Sequence, residues 1–193
     1  VPVKLIDVAG LVPEAHKGKG RGNEFLNDLR EADLLIHVLD ASGRTNEQGN
    51  AIENYDVCET VKFLENEIDM WLYGILERNW HSLVRKSNTT KFSLVLTEQL
   101  SGLKIKEEDI KEIMKKLELS ERGEAWKEAH ILEFVREIRK KSKPIVIAAN
   151  KSDRKEAKEN IEKLKEEYPE TLIIPCSAES ELALREAAKD KLI

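Results

Sequence analysis

Four short apolar runs, at residues 3–7, 33–40, 144–149 and 171–175, constrain the fold of this chain more than any other feature. Within each, hydrophobic residues follow one another instead of alternating with polar ones, the pattern of strands covered on both faces. Strands of that kind make a parallel sheet with helices packed on each side, so the expected class is α/β. Each run also ends in polar residues: Asp7, Asp40, Asn150 to Asp153, and Cys176 with Ser177. Open α/β sheets bind ligands at the carboxyl ends of their strands, so these tips are where chemistry is expected.

The segments between the runs read as helices. One is expected near residues 23–31 and another at 154–168, where Ile161, Leu164 and Tyr168 share a face of a Lys/Glu-rich stretch and complete a βαβ unit. Roughly a hundred residues separate Asp40 from Pro144, far more than one crossover helix needs. That stretch carries helical patterns at 57–83, 105–117 and 131–139. The expected organisation is therefore an α-helical insertion at about 46–129, set between a first part of an α/β domain at 1–45 and a second part at 130–193. Trp71, Tyr73 and Trp80 lie at helical spacing within the insertion, which assigns them to packing rather than to stacking on bases. Arg85, Lys86 and Lys91 form a small basic patch there.

Composition narrows the function classes. The chain has 193 residues, 40% of them hydrophobic, enough for one domain with a real core, and no apolar run is long enough to cross a bilayer. Charged residues make up 36% while the net charge is only -5, so the signs are mixed and wholesale nucleic-acid binding is not expected. Two cysteines, Cys58 and Cys176, in unrelated contexts suggest neither a disulfide framework nor a zinc site, and a reducing, cytoplasmic setting is expected. Lys and Glu are abundant and Gln scarce, a bias of proteins from hot environments. The chain opens Val1-Pro2-Val3-Lys4, without an initiator Met, and is expected to be cut from a longer one.

Three motifs occupy the strand tips. Asp7-Val8-Ala9-Gly10 pairs an aspartate that can hold magnesium through water with a glycine whose N–H can approach a terminal phosphate. Asp and Gly are also common in any strand-ending turn. Asn150-Lys151-Ser152-Asp153 answers features of guanine: Asp153 can accept two parallel hydrogen bonds from N1–H and the exocyclic amino group, a pairing adenine cannot supply. Asn150 can brace the loop and the base edge, and the Lys151 stem can lie along the ring. Ser177-Ala178-Glu179 follows the last run and places the Ala178 N–H to meet guanine O6. The order, with phosphate and metal first, base specificity second and base support third, is the order a guanine-nucleotide site demands.

Asp7-Val8-Ala9-Gly10-Leu11-Val12-Pro13, Gly18-Lys19-Gly20-Arg21-Gly22-Asn23, Phe25-Leu26-Asn27-Asp28-Leu29-Arg30 and the run from Ala32 to Ser42 together resemble the Obg/YchF group of translation-factor-class P-loop GTPases. The resemblance implies a partial P-loop NTPase G domain with a mostly parallel sheet, GTP or GDP and Mg2+ as ligands, and the ribosome or ribosomal RNA as a partner. Leu11 stands where many GTPases have a water-orienting glutamine, so another group must complete hydrolysis. Glu14 and His16 are candidates to contact that water. Gly18, Gly20 and Gly22, interleaved with Lys17, Lys19 and Arg21, read as a mobile switch and not as a phosphate cradle. The chain contains no G-x-x-x-x-G-K-[ST] string, so the missing N-terminal part of the same G domain is a further expected partner. Two alternatives stay open: a partner-docking module with a vestigial nucleotide site, and an ATP-preferring member, since the YchF branch often departs from the guanine motif that is intact here.

Overall fold

A computed structural model describes residues 2–8, 13–14 and 28–192. They divide into two compact units, one of Val1–Asp33 with Glu65–Pro144, the other of Leu34–Leu64 with Ile145–Ile193. The second unit holds a three-stranded parallel sheet in the order β1 (Leu35–Asp40), β2 (Ile145–Asn150), β3 (Ile173–Pro175). In chain order the helices are α1 (Val57–Glu77), α2 (Trp80–Lys86), α3 (Phe92–Gln99), α4 (Glu107–Lys116), α5 (Glu128–Ser142), α6 (Ala157–Glu167) and α7 (Ala178–Lys189).

One face of the sheet is covered as its composition demands. Leu39, Ile147 and Ala149 pack on Val57, Cys58 and Val61 of α1 and on Ala157, Ile161 and Leu164 of α6. The spacing of those α6 residues places them on one side of a helix whose remaining positions are mostly Lys and Glu, so the helix is held by its apolar stripe. Each buried Leu, Ile or Val in this cluster contributes roughly 1.5–3 kcal/mol. Cys58 is buried and unpaired, and burial pushes its thiol up to about 12, while Cys176 is also free.

The other face departs from the expectation of strands covered on both sides. Ile36 is 53% and Val38 62% exposed, and Leu172 and Ile174 beside them are exposed too. Helix α7, the last element of this unit, buries none of its residues and leaves Leu182 and Leu184 in solvent. A second departure concerns the expected first strand. Residues 2–8 have no regular structure, and Val3 and Leu5 are 90% and 80% exposed. A strand needs a neighbour for its N–H and C=O groups, and hydrophobic composition alone does not supply one.

The helical unit is built on the rest of α1 and on α2 to α5. The helix expected at 57–83 is two helices, because Asn79 interrupts it: its N–H turns back to the Leu76 carbonyl at 3.1 Å and its side-chain amide donates to the Ile75 carbonyl at 3.4 Å. Helix α4 starts with Glu107, Glu108 and Asp109 and ends with Lys115 and Lys116, matching the helix dipole at both ends. Trp80, Phe92, Trp126 and Phe134 form a chain of aromatic contacts with centroid separations of 5.1 to 5.8 Å. Trp71 is buried as well, with the Arg30 guanidinium 5.8 Å from its ring centre, so the tryptophans serve packing. Arg139 lies buried between Asp69, at 2.7 Å, and Glu65, at 2.9 Å. Lys143, buried before β2, donates from Nζ to the carbonyls of Arg30 at 3.0 Å and Ala32 at 2.7 Å, at the end of the helical turn at residues 28–31. Among the described residues no helix is long and apolar enough to cross a membrane.

Phe134 has no exposed surface and closes the aromatic chain against Trp126. Phe134→Ala is expected to destabilise the helical unit by about 3–5 kcal/mol, read as a lower urea midpoint followed by tryptophan fluorescence.

Candidate functional site

The parallel register brings Asp40 beside Asn150, and β3 beside β2 brings the Cys176–Ala178 stretch to the same edge. The two loops that follow β2 and β3 are tied directly. The Cys176 N–H donates to the Ala149 carbonyl at 3.0 Å, the Ser152 N–H to the Cys176 carbonyl at 3.0 Å, and the Ala178 N–H to Asn150 Oδ1 at 3.0 Å. Asn150 thus uses its side chain to hold the second loop and its own carbonyl to accept the Ala41 N–H at 2.9 Å.

Lys151 comes next, with a φ of +61°, in the left-handed region that a non-glycine residue enters at a cost. Its Nζ reaches across to Asp40 Oδ2 at 2.7 Å. Sequence reading noted Asp40 only as the end of a strand; the structure makes it the anchor of this lysine. Asp40 Oδ1 accepts the Ser42 N–H at 3.0 Å and the Ser42 hydroxyl at 2.6 Å, and Oδ2 also accepts the Thr45 hydroxyl at 2.9 Å. The turn that folds these donors back has Gly43 at φ +66°, where an added Cβ would lie 2.8 Å from the Tyr55 carbonyl oxygen, so only glycine fits. Burial by itself would raise the Asp40 carboxyl, but the bonds from Lys151, Ser42 and Thr45 outweigh it and hold the group below its ordinary 3.8. The signal available in the sequence was an aspartate at a strand end followed by hydroxyls two and five residues on, a local pattern of side-chain capping.

Asp153 sits at the rim of the loop, exposed, and its carboxyl is lowered chiefly by a hydrogen bond from the Ser177 side chain. It is ionised at neutral pH and offers an acceptor edge to solvent. Ser177 also caps α7, its oxygen accepting the Ser180 N–H at 3.3 Å. Arg154 stands 3.7 Å from Asp153 and 3.8 Å from Glu179, exposed contacts that contribute little energy. Asn150, Lys151, Asp153, Ser177, Ala178 and Glu179, far apart in sequence, therefore meet at one edge of the sheet.

The phosphate-side residues stand differently. Asp7 is exposed and belongs to the other unit. Gly10, Leu11 and His16 lie outside the described residues, as do the glycines at 18, 20 and 22. Glu14 is described: at φ +64° its N–H donates to Oε1 of the buried Glu67 at 2.9 Å. No cluster of three or more His, Cys, Asp or Glu able to hold a metal occurs among the described residues. A magnesium ion held through water by one carboxylate and by phosphates needs no such cluster.

Two family models match the chain. One, described as Obg-like GTPase YGR210-like, G4 motif-containing domain, covers residues 148–193; the other, described as 50S ribosome-binding GTPase, covers residues 1–73. A GTP-binding protein of Methanocaldococcus jannaschii is 52% identical over 194 residues, a match that takes in 100% of this chain and 49% of the relative. The ribosome-binding ATPase YchF of Bacillus subtilis is 28% identical over 208 residues, covering 98% of this chain and 52% of its own. The crystal structure of a GTP binding protein from Pyrococcus horikoshii OT3 superposes with a TM-score of 0.77 at 43% identity, over 86% of this chain and 49% of that one. The chain thus spans about half the length of these relatives.

The depressed carboxyl of Asp40 has a consequence in acid. Its contacts contribute fully above the unfolded value of 3.8 and are lost as pH falls through the lower folded value. A carbon-detected NMR titration of Asp40 is expected to show a midpoint below 3.8, and Lys151→Met is expected to move that midpoint upward.

Proposed function

The chain belongs to the Obg/YchF-type P-loop GTPases, and we propose that it supplies the guanine-recognising part of a GTP-hydrolysing switch acting with the ribosome or translation machinery. The observation that carries this reading is the joined pair of loops in which Asn150 holds Ala178 while the ionised edge of Asp153 faces solvent. A carboxylate at that place pairs with the N1–H and exocyclic amino group of guanine and finds no such partner on adenine. Asn150, Lys151 and Asp153 are all present, which favours GTP over ATP for this member.

In the proposed complex Lys151 lays its stem along the base, Ser177 and Glu179 shape the loop around it, and Ala178 meets guanine O6. The Ala178 N–H is held by Asn150 Oδ1 at 3.0 Å, so O6 would share that proton or displace the amide. Asp7 would hold Mg2+ through water and the Gly10 N–H would meet the terminal phosphate. The ion would supply neutralisation of charge on the phosphates. Leu11 has no donor or acceptor for water, so hydrolysis requires another group, with His16 and Glu14 the candidates in the chain itself. In domain terms, residues 1–45 and 130–193 would supply G-domain parts and 46–129 the helical insertion, although the start of α1 at Val57, Cys58 and Val61 packs under the sheet and the compact helical unit takes in residues 130–144. The exposed face at Ile36, Val38, Leu172 and Ile174 suits the remaining part of the same G domain, which would also carry the phosphate loop. The ribosome enters through the description of the Bacillus subtilis relative as ribosome-binding, and the setting would be cytoplasmic.

Asp153→Asn in the full-length protein is expected to shift preference from GTP toward xanthosine triphosphate, because an amide donates where the carboxylate accepted. Competition binding measures it, and unchanged guanine selectivity would sink the assignment of Asn150, Lys151 and Asp153. The 193-residue chain alone is expected to bind GTP weakly and to hydrolyse none. It lacks the loop whose charge-assisted bonds contribute roughly 1.5–3 kcal/mol each. Titration calorimetry with GTP and magnesium checks this, and micromolar or tighter affinity would mean that other residues hold the phosphates.

A further inference from the structure

Asp40 is the best-anchored charge at the sheet edge. Its side chain is only 8% exposed, whereas that of Lys151 is 44% exposed. The carboxylate accepts from four donors: the Ser42 N–H and hydroxyl on Oδ1, the Thr45 hydroxyl and the Lys151 ammonium on Oδ2. That occupies the lone-pair sites of a carboxylate. Three of the four donors belong to the Gly43 turn, so Asp40 is fixed by its own strand end and cannot follow a moving lysine. The lysine must come to it. Lys151 is the first residue past β2, opposite the β1 tip in register, and its left-handed φ accompanies the side chain's reach across to β1.

Resting on the guanine reading above, we propose that Asp40 is a positioning residue for base recognition. By holding Nζ at the strand tip it extends the Lys151 stem before nucleotide arrives and presents a formed apolar platform for the purine face. The pair differs in kind from Arg154 with Asp153, where both side chains are half exposed and 3.7 Å apart, so that neither fixes the other. A free lysine stem samples many rotamers and must give them up when a base docks on it; one already extended does not. The contribution is to affinity for the base, common to GDP and GTP, because Asp40 contacts no group assigned to the phosphates.

The test is a double-mutant cycle in the full-length protein, with Kd for GDP and for GTP, each with magnesium, measured by titration calorimetry for Asp40→Asn, Lys151→Met and the double variant. Each single substitution is expected to weaken GDP about tenfold, with the ratio of GTP to GDP affinity unchanged and the double variant no weaker than Lys151→Met. A purely structural Asp40 would give additive losses, with the double variant weakened about a hundredfold, and that result overturns the proposal. So does an Asp40→Asn variant with unchanged affinity. If Lys151→Met itself binds GDP as the parent does, the anchored ammonium adds nothing to the stem and the proposal is overturned, while the guanine reading stands or falls on Asp153→Asn. Should Asp40→Asn fail to fold, Thr45→Val loosens the anchor while keeping the charge. It is expected to weaken GDP binding when Lys151 is present and to change nothing in the Lys151→Met background; equal effects in both backgrounds overturn the proposal.

Discussion

The parallel pairing of β1 with β2, from Leu35 with Ile145 to Asp40 with Asn150, determines what else this unit can do. It joins segments separated by the whole helical stretch, and its register decides which side chains share a face. With Leu39 opposite Ala149 and His37 opposite Ile147, the covered face receives α1 and α6. A slip of one residue would turn Ile36 and Val38 into that core and carry Leu39 out of it. The same register sets the two strand tips side by side, which is why a lysine one residue past β2 can reach an aspartate at the end of β1. Packing under the sheet and the polar edge at its tip are therefore consequences of one alignment.

At that edge the polar groups are tied to one another. Asn150 bridges to Ala178, Ser152 to Cys176, and Asp40 gathers Ser42, Thr45 and Lys151. These bonds satisfy backbone groups that leave the ladder where β2 and β3 end, so they have a structural use as well. The left-handed conformation of Lys151, at φ +61°, is shared by Lys104 and Glu118 where helical turns end, and here it turns the chain out of β2 while the side chain reaches Asp40.

Much of this was legible in the sequence. Helix α6 was expected at 154–168 and occurs at Ala157–Glu167, because Ile161 and Leu164 recur at helical spacing among charged residues. The strands β1 and β3 fall within the expected runs, and β2 runs one residue past its own into Asn150, because those runs are apolar and bounded by polar tips. Helix α3 went unread: Phe92, Val95 and Leu96 give a helix of eight residues, too short for periodicity to stand out. The break at Asn79 depends on a side chain bonding to Ile75, which spacing cannot reveal. At residues 3–7 composition favoured a strand, but a strand exists only with a partner, and hydrophobicity carries no information about partners. Asn150, Lys151 and Asp153 announced themselves as a motif, whereas Asp40 did not, because its importance lies in a contact 111 residues away.

The distribution of hydrogen bonds also indicates which contact can discriminate between purines in the proposed complex. The Ala178 N–H is not idle, since Asn150 Oδ1 already accepts it at 3.0 Å. A guanine O6 that takes this proton exchanges one neutral bond for another, and bonds of that kind differ by only about 0.5–1.5 kcal/mol in net effect. Asp153 is in the opposite position. Its carboxylate is ionised, supported by Ser177, and exposed, so two N–H donors from a base add charge-assisted bonds without displacing a partner in the chain. Adenine would bring no donor at N1 and would leave that carboxylate to be desolvated without compensation. Selectivity in the proposed site must then come chiefly from Asp153, with Asn150 and Ala178 setting the shape of the loop and Lys151 contributing affinity for any purine face.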